Sequence, residues 1–120
     1  MEKEHKQLLL KDLSARLPYG VKILQGGVII ETLQSICKVG DDEYTVNALT
    51  NDMYNGFSLE QVKPYLRPMS SITEDESRGL SQLIRESWEF FDWLNANHFD
   101  YRGLIPLGLA IEATEDTYKK

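Results

Sequence analysis

Leucines recur at helical spacing at the start of the chain, at Leu9, Leu10, Leu13 and Leu17, and predict a first helix over residues 4–16. Lys6, Lys11 and Arg16 supply its wet side, and Pro18 and Gly20 stop it. From Val21 the period changes to two. Val21 and Ile23 alternate with Lys22, and Gln25-Gly26-Gly27 signals a turn because glycine tolerates positive φ. Val28 to Val39 is a long β-branched stretch, which predicts a strand bent or bulged in its middle. After the turn Gly40-Asp41-Asp42, Tyr44, Val46 and Ala48 alternate with Glu43, Thr45 and Asn47. Three strands in an antiparallel meander result. Residues 50–58 read as a loop or a poor edge strand. Ser58 and Gln61 fit a capping box for a short turn limited by Pro64, and Tyr65-Leu66-Arg67 adds a fourth short strand before Pro68.

Thr73 and Glu76 form a second capping-box pattern, with Glu74, Asp75 and Glu76 where the helix dipole favours negative charge. The positions that follow on one face, Leu80, Leu83, Ile84, Ser87 or Trp88, Phe91 and Leu94, predict one long helix over 74–97, weakened at Gly79. Such a helix is roughly 36 Å long at 1.5 Å per residue and would cross the whole body. Asp100 is placed to cap a short helical segment over 101–107, limited by Pro106 and Gly108. Leu109, Ala110 and Ile111 make a last apolar contact, and the polar tail from Thr114 is expected to fray.

The fold class is α+β in a single domain over 1–120, with an N-terminal helix at 4–16, a β-rich part at 20–72 and a helical part at 73–113. A small twisted antiparallel meander packs against the N-terminal helix and the long C-terminal helix. An SH3-like half-barrel over residues 20–72 satisfies the same pattern, with its short strands, tight turns and one helical turn before the last strand. An open meander satisfies it equally.

The chain has 120 residues, 42% of them hydrophobic and 27% charged, which is globular composition and enough for one core. Thirteen Lys and Arg face 19 Asp and Glu, a net charge of −6 spread evenly over both halves. Phosphate backbones require clustered basic residues, so nucleic acid is a disfavoured partner. There is no signal-peptide pattern at the start and no run long enough to span a membrane, so a cytoplasmic setting without a membrane is expected. Cys37, the one cysteine, is expected to be a small buried hydrophobe.

Catalytic and cofactor motifs are missing. The sequence contains no phosphate loop, dinucleotide fingerprint or nucleophile elbow, so no catalytic residue, cofactor or metal ligand is assigned. His5 and His98 are the only histidines and sit at opposite ends. A zinc site from His98, Cys37 and carboxylates is conceivable, but His98 reads more simply as a helix C-terminal residue whose partly protonated ring suits the dipole. The acid clusters at 41–43 and 74–76 read as solvated turns and caps.

The densest polar–aromatic cluster is His98-Phe99-Asp100-Tyr101-Arg102. It reads either as a recognition edge or as a helix-end lock. In the lock, Phe99 plugs the core, Asp100 caps, and Arg102 pairs with Asp92 or Asp100. Trp88, Phe90, Phe91 and Trp93 put aromatics on more than one face of the long helix. Positions 88, 91 and 95 face one way and 90 and 93 the other. Either the helix is sandwiched or Phe90 and Trp93 form an exposed patch for a protein partner or a second copy. The positions singled out for partner binding are therefore Phe90, Trp93, Tyr101 and Arg102.

Three blocks carry a family resemblance: residues 10–22 (LKDLSARLPYGVK), 62–73 (VKPYLRPMSSIT) and 92–105 (DWLNANHFDYRGLI). In this order they frame most of the chain, which resembles a family of short proteins of gut Bacteroides, their prophages and mobile elements. The resemblance implies a bacterial intracellular or phage setting. It implies no activity, cofactor or catalytic residue.

The leading expectation is a non-enzymatic protein-interaction module linked to a prophage or mobile element. A nucleic-acid-linked accessory using Tyr44, Tyr54 and Tyr65 of the small sheet is the alternative, with an acidic decoy as its variant. An enzyme built from His98, Asp100, Tyr101 and Arg102 is the least supported.

Overall fold

The computed structural model describes residues 2–26, 29–41, 43–50, 53–85, 87–114 and 117–118. Helix α1 (Lys3–Arg16) runs into a single 3₁₀ turn at Leu17–Tyr19, ended by Gly20 in the left-handed region. Strands β1 (Lys22–Gln25), β2 (Ile29–Gly40), β3 (Glu43–Thr50), β4 (Met53–Ser58) and β5 (Val62–Leu66) follow. Helices α2 (Glu74–Ser81) and α3 (Trp88–Ala96) come next, and β6 (Ile111–Glu112) is last.

The fold is α+β around one sheet ordered β4-β3-β2-β1-β5-β6. The first five strands pair antiparallel and β6 adds to β5 in parallel, so the sheet is mixed and larger than the predicted meander. The polar stretch at 50–58, expected as a loop or a poor edge strand, contains edge strand β4. β2 carries the expected irregularities, with register shifts at Leu33/Ser35 and Lys38/Gly40.

The sheet is rolled rather than flat. In a flat sheet β1 and β4 would lie roughly 14 Å apart, three spacings of about 4.8 Å. Instead, the end of β1 meets β4: a Cβ built on Gly26 would sit 2.9 Å from Cε1 of Phe57. Gly26 also has φ +59, so both its turn and its close neighbour require glycine. The 3₁₀ turn Leu59–Gln61 joins β4 to β5 behind the Ser58–Gln61 capping box.

The core lies inside the roll. Val21, Ile23, Leu33, Val46, Ala48, Leu59, Val62 and Leu66 point inward, and α1 lays Leu9 and Leu13 on them. Leu104, Leu109 and Ala110 complete the cluster.

Several expectations are corrected. The single helix over 74–97 is two helices, α2 ending at Ser81 and α3 starting at Trp88. α2 buries no side chain, and Gly79 weakens it, so no packing carries it further. Ser87 then accepts the Phe90 N–H at 3.2 Å and starts α3 afresh. Residues 101–107 form no helix, with turns only from Leu104 on, although Asp100 caps the segment as expected. Arg16 is fully buried, not on a wet face. Cys37 is exposed, because the register shift at Leu33/Ser35 leaves Ile36 against the core and Cys37 on the other face. The tail is tied down at Tyr118, whose hydroxyl donates to the Tyr65 carbonyl at 2.6 Å and accepts the Lys22 N–H at 3.0 Å. Among the described residues, no helix is long and apolar enough to cross a membrane.

Candidate functional site

The polar–aromatic cluster begins at the end of α3. The Phe99 N–H reaches the Leu94 carbonyl at 2.9 Å, and the His98 N–H reaches that of Asn95 at 3.1 Å. This is a Schellman closure with His98 in the position usually held by glycine, at φ +64. The accompanying apolar contact is Trp93 stacked on Phe99, with centroids 5.8 Å apart and planes 11° from parallel.

Phe99 is fully buried, as the lock reading requires, and the Arg67 guanidinium lies 4.2 Å from its ring centroid. Asp100 accepts the N–H groups of Leu104 at 2.8 Å and Ile105 at 2.9 Å. Arg102 does not pair with Asp92 or Asp100. It crosses to α1 and donates to Asp12 at 2.8 Å.

Asp12 is fully buried and holds two guanidiniums at once. Its other oxygen accepts Arg16 Nε at 2.9 Å, and Arg16 Nη2 donates to the Phe99 carbonyl. Arg16 Nη1 is buried with no hydrogen-bond partner among the described residues. Both arginines lie near Tyr101, at 5.6 Å for Arg16 and 4.5 Å for Arg102 from its ring centroid. The Tyr101 hydroxyl donates to Asn95 Oδ1 at 3.1 Å, and its ring meets Phe91 at 5.1 Å.

These contacts form one side of an open groove of about 630 Å³. α1 supplies Lys11 and Ala15, four residues apart on one face. α3 supplies Trp88, Phe91, Asp92 and Asn95, again on a single face, and Tyr101 and Arg102 close the end. Asp92 already accepts the Tyr19 hydroxyl. Trp88 is 73% exposed, the most exposed aromatic among the described residues.

The four residues expected to bind a partner therefore separate. Tyr101 and Arg102 line the groove. Trp93 is half-buried on Phe99, and Phe90 lies on the far side of α3 beside Leu80 and Leu83 of the α2–α3 region. The sequence pattern offers either a sandwiched helix or an exposed patch at Phe90 and Trp93, whereas the exposed aromatic is Trp88 on the 88/91/95 face. The signal that could have found it is Ser87: a helix starting there leaves Trp88 in an unburied first turn.

The other expected constellations do not assemble. His98 stacks on Tyr118, centroids 3.7 Å apart, away from the groove that holds Tyr101 and Arg102. Burial, then the positive charges of Arg16 and Arg67, pushes His98 down to about 4, so its ring is neutral at neutral pH, not partly protonated. Burial likewise raises the Tyr118 hydroxyl. Among the described residues, no three His, Cys, Asp or Glu side chains are grouped to hold a metal. Tyr44 packs against the core on β3 and Tyr65 lies three strands away on β5, while the Tyr54 side chain falls outside the described residues. Compared with family models, with curated proteins and with solved structures, the chain matches none.

Proposed function

We propose that the chain is a non-enzymatic protein-interaction module that docks a segment of a partner protein in the groove between α1 and α3. The observation that carries this reading is Trp88. It is a large aromatic left 73% exposed in the lining of a groove that also holds a second aromatic, Phe91. Exposed tryptophan beside a concave surface is the usual composition of an interface centre. The groove volume suits a few side chains of a segment. A second copy of the chain is the poorer occupant, since two bodies of charge −6 repel. The family resemblance supplies the setting, a prophage or mobile element.

The test is photo-crosslinking in cells from p-benzoylphenylalanine placed at Ala15, with the same group at Gln34, an exposed position of β2, as control. A discrete heavier adduct from position 15 alone supports docking of a partner. No adduct, or an adduct of two copies of this chain, overturns it.

A further inference from the structure

The groove differs in charge from the rest of the molecule. The chain as a whole is acidic, yet the groove and the wall behind it hold Lys11, Arg16 and Arg102 against Asp12 and Asp92. Both carboxylates already accept hydrogen bonds, and Asp92, whose partner is a neutral hydroxyl, keeps its charge. Asp12 accepts from two guanidiniums, and Asp92 accepts the Tyr19 hydroxyl. The cations are not matched in the same way. Lys11 forms no ion pair among the described residues. Arg16 and Arg102 share a single carboxylate, and Arg16 Nη1 is buried without a partner among the described residues. A buried group of one acid and two bases carries a net positive charge in a medium of low dielectric, where it acts strongly on the nearest wet surface. That surface is the groove, reached through Arg102.

We infer that the docked segment is acidic: a carboxylate side chain meets Lys11 and Arg102 while a neighbouring apolar side chain lies on Trp88 and Phe91. The inference rests on the docking reading above and adds the chemistry of the partner. Arg102 already has its plane fixed by Asp12 and Tyr101, so little side-chain freedom is lost on capturing a second carboxylate.

The test selects a library of random short peptides on the intact chain and measures the winners by fluorescence anisotropy. The expected winners carry Asp or Glu beside an aromatic or branched aliphatic residue, and their binding is lost with Trp88→Ala. Lys11→Glu, a change at an exposed helix position, should weaken them about fivefold or more, and added salt should weaken them too. Neutral or basic winners that still need Trp88 overturn the acidic inference and leave docking intact. Winners indifferent to Trp88→Ala, or none at all, overturn both. A short single-stranded oligonucleotide that displaces the peptides more effectively than any acidic peptide also overturns the inference, in favour of nucleic acid.

Discussion

His98 and Tyr118 lie face to face, ring centroids 3.7 Å apart and planes 9° from parallel. The stack joins the end of α3 to the chain terminus, and Tyr118 then reaches β1 and β5 through its hydroxyl. Protonating His98 would place a cation beside Arg16 and Arg67. The unfolded histidine titrates near 6.5, whereas the folded one is held down to about 4. The unfolded chain thus binds the proton first. Stability is fully present above about 6.5, falls as the pH drops through that window, and levels near 4. His98→Asn keeps a residue that tolerates positive φ and removes the ionisable ring. Urea midpoints across the window should slope for the parent chain and be nearly flat for the variant.

Arg67 ties α2 to the body through Glu76, with both guanidinium–carboxylate contacts at 2.7 Å. The hydrogen bonds from Arg67 bring Glu76 down to about 2. This contribution is present above the ordinary value of 4.5 and lost as the pH falls toward 2. Lysine cannot make the paired contact or lie flat on Phe99. Arg67→Lys should raise the Glu76 titration toward 4.5 in a carboxyl NMR experiment. α2 buries no side chain of its own, so its amides should exchange faster while those of α3 change little.

Asp12 is the single anion between Arg16 and Arg102. Asp12→Asn leaves two guanidiniums facing each other with no counter-charge, which should cost about 3–5 kcal/mol by urea unfolding. The double change Asp12→Leu with Arg16→Met removes the fully buried pair and leaves Arg102, which is 14% exposed, to turn to water, and should recover much of that loss. Glu74, an exposed partner of Arg78, serves as the comparison: Glu74→Gln should leave the midpoint where it is.

Local chemistry makes the β-rich part, both capping boxes and the Asp100 cap legible from sequence, because each depends on residues within a few positions. Thr73 and Glu76 meet at 3.0 and 3.2 Å as their spacing requires. What could not be read depends on distant partners. Nothing around Arg16 reveals that Phe99, 83 residues away, offers it a carbonyl. Likewise Arg102 has two acids close by in sequence and takes a third, 90 residues away. The α2–α3 break is hidden for another reason. Periodicity records which face is apolar but not whether anything covers it, and α2 is left uncovered. The groove is hidden with it, since Trp88 looks like a core position until the helix is known to begin beside it.

Gly26 tests the roll of the sheet. Gly26→Ala forces an L side chain to φ +59 and drives its Cβ to 2.9 Å from Phe57. The backbone part should cost about 1–2 kcal/mol, and the clash should add to it. Phe57→Leu in the same chain should relieve the clash alone. A double mutant that loses less stability than the two single changes added together measures the contact that a flat sheet would lack.

Trp88 and Trp93 offer the sharpest contrast, both standing on α3 and unlike in surroundings. Trp93 is half-buried against Phe99, and Trp93→Ala should cost about 3 kcal/mol, near the low end for a large core truncation. Trp88 is mostly exposed, and Trp88→Ala should change stability by no more than about 0.5 kcal/mol. Thermal or urea unfolding of the two variants separates packing from docking before any partner is identified. If Trp88→Ala proves as costly as Trp93→Ala, Trp88 belongs to the core and the groove is filled by the chain itself. If only Trp93→Ala destabilises, the chain keeps an aromatic in the groove lining that its own fold does not need.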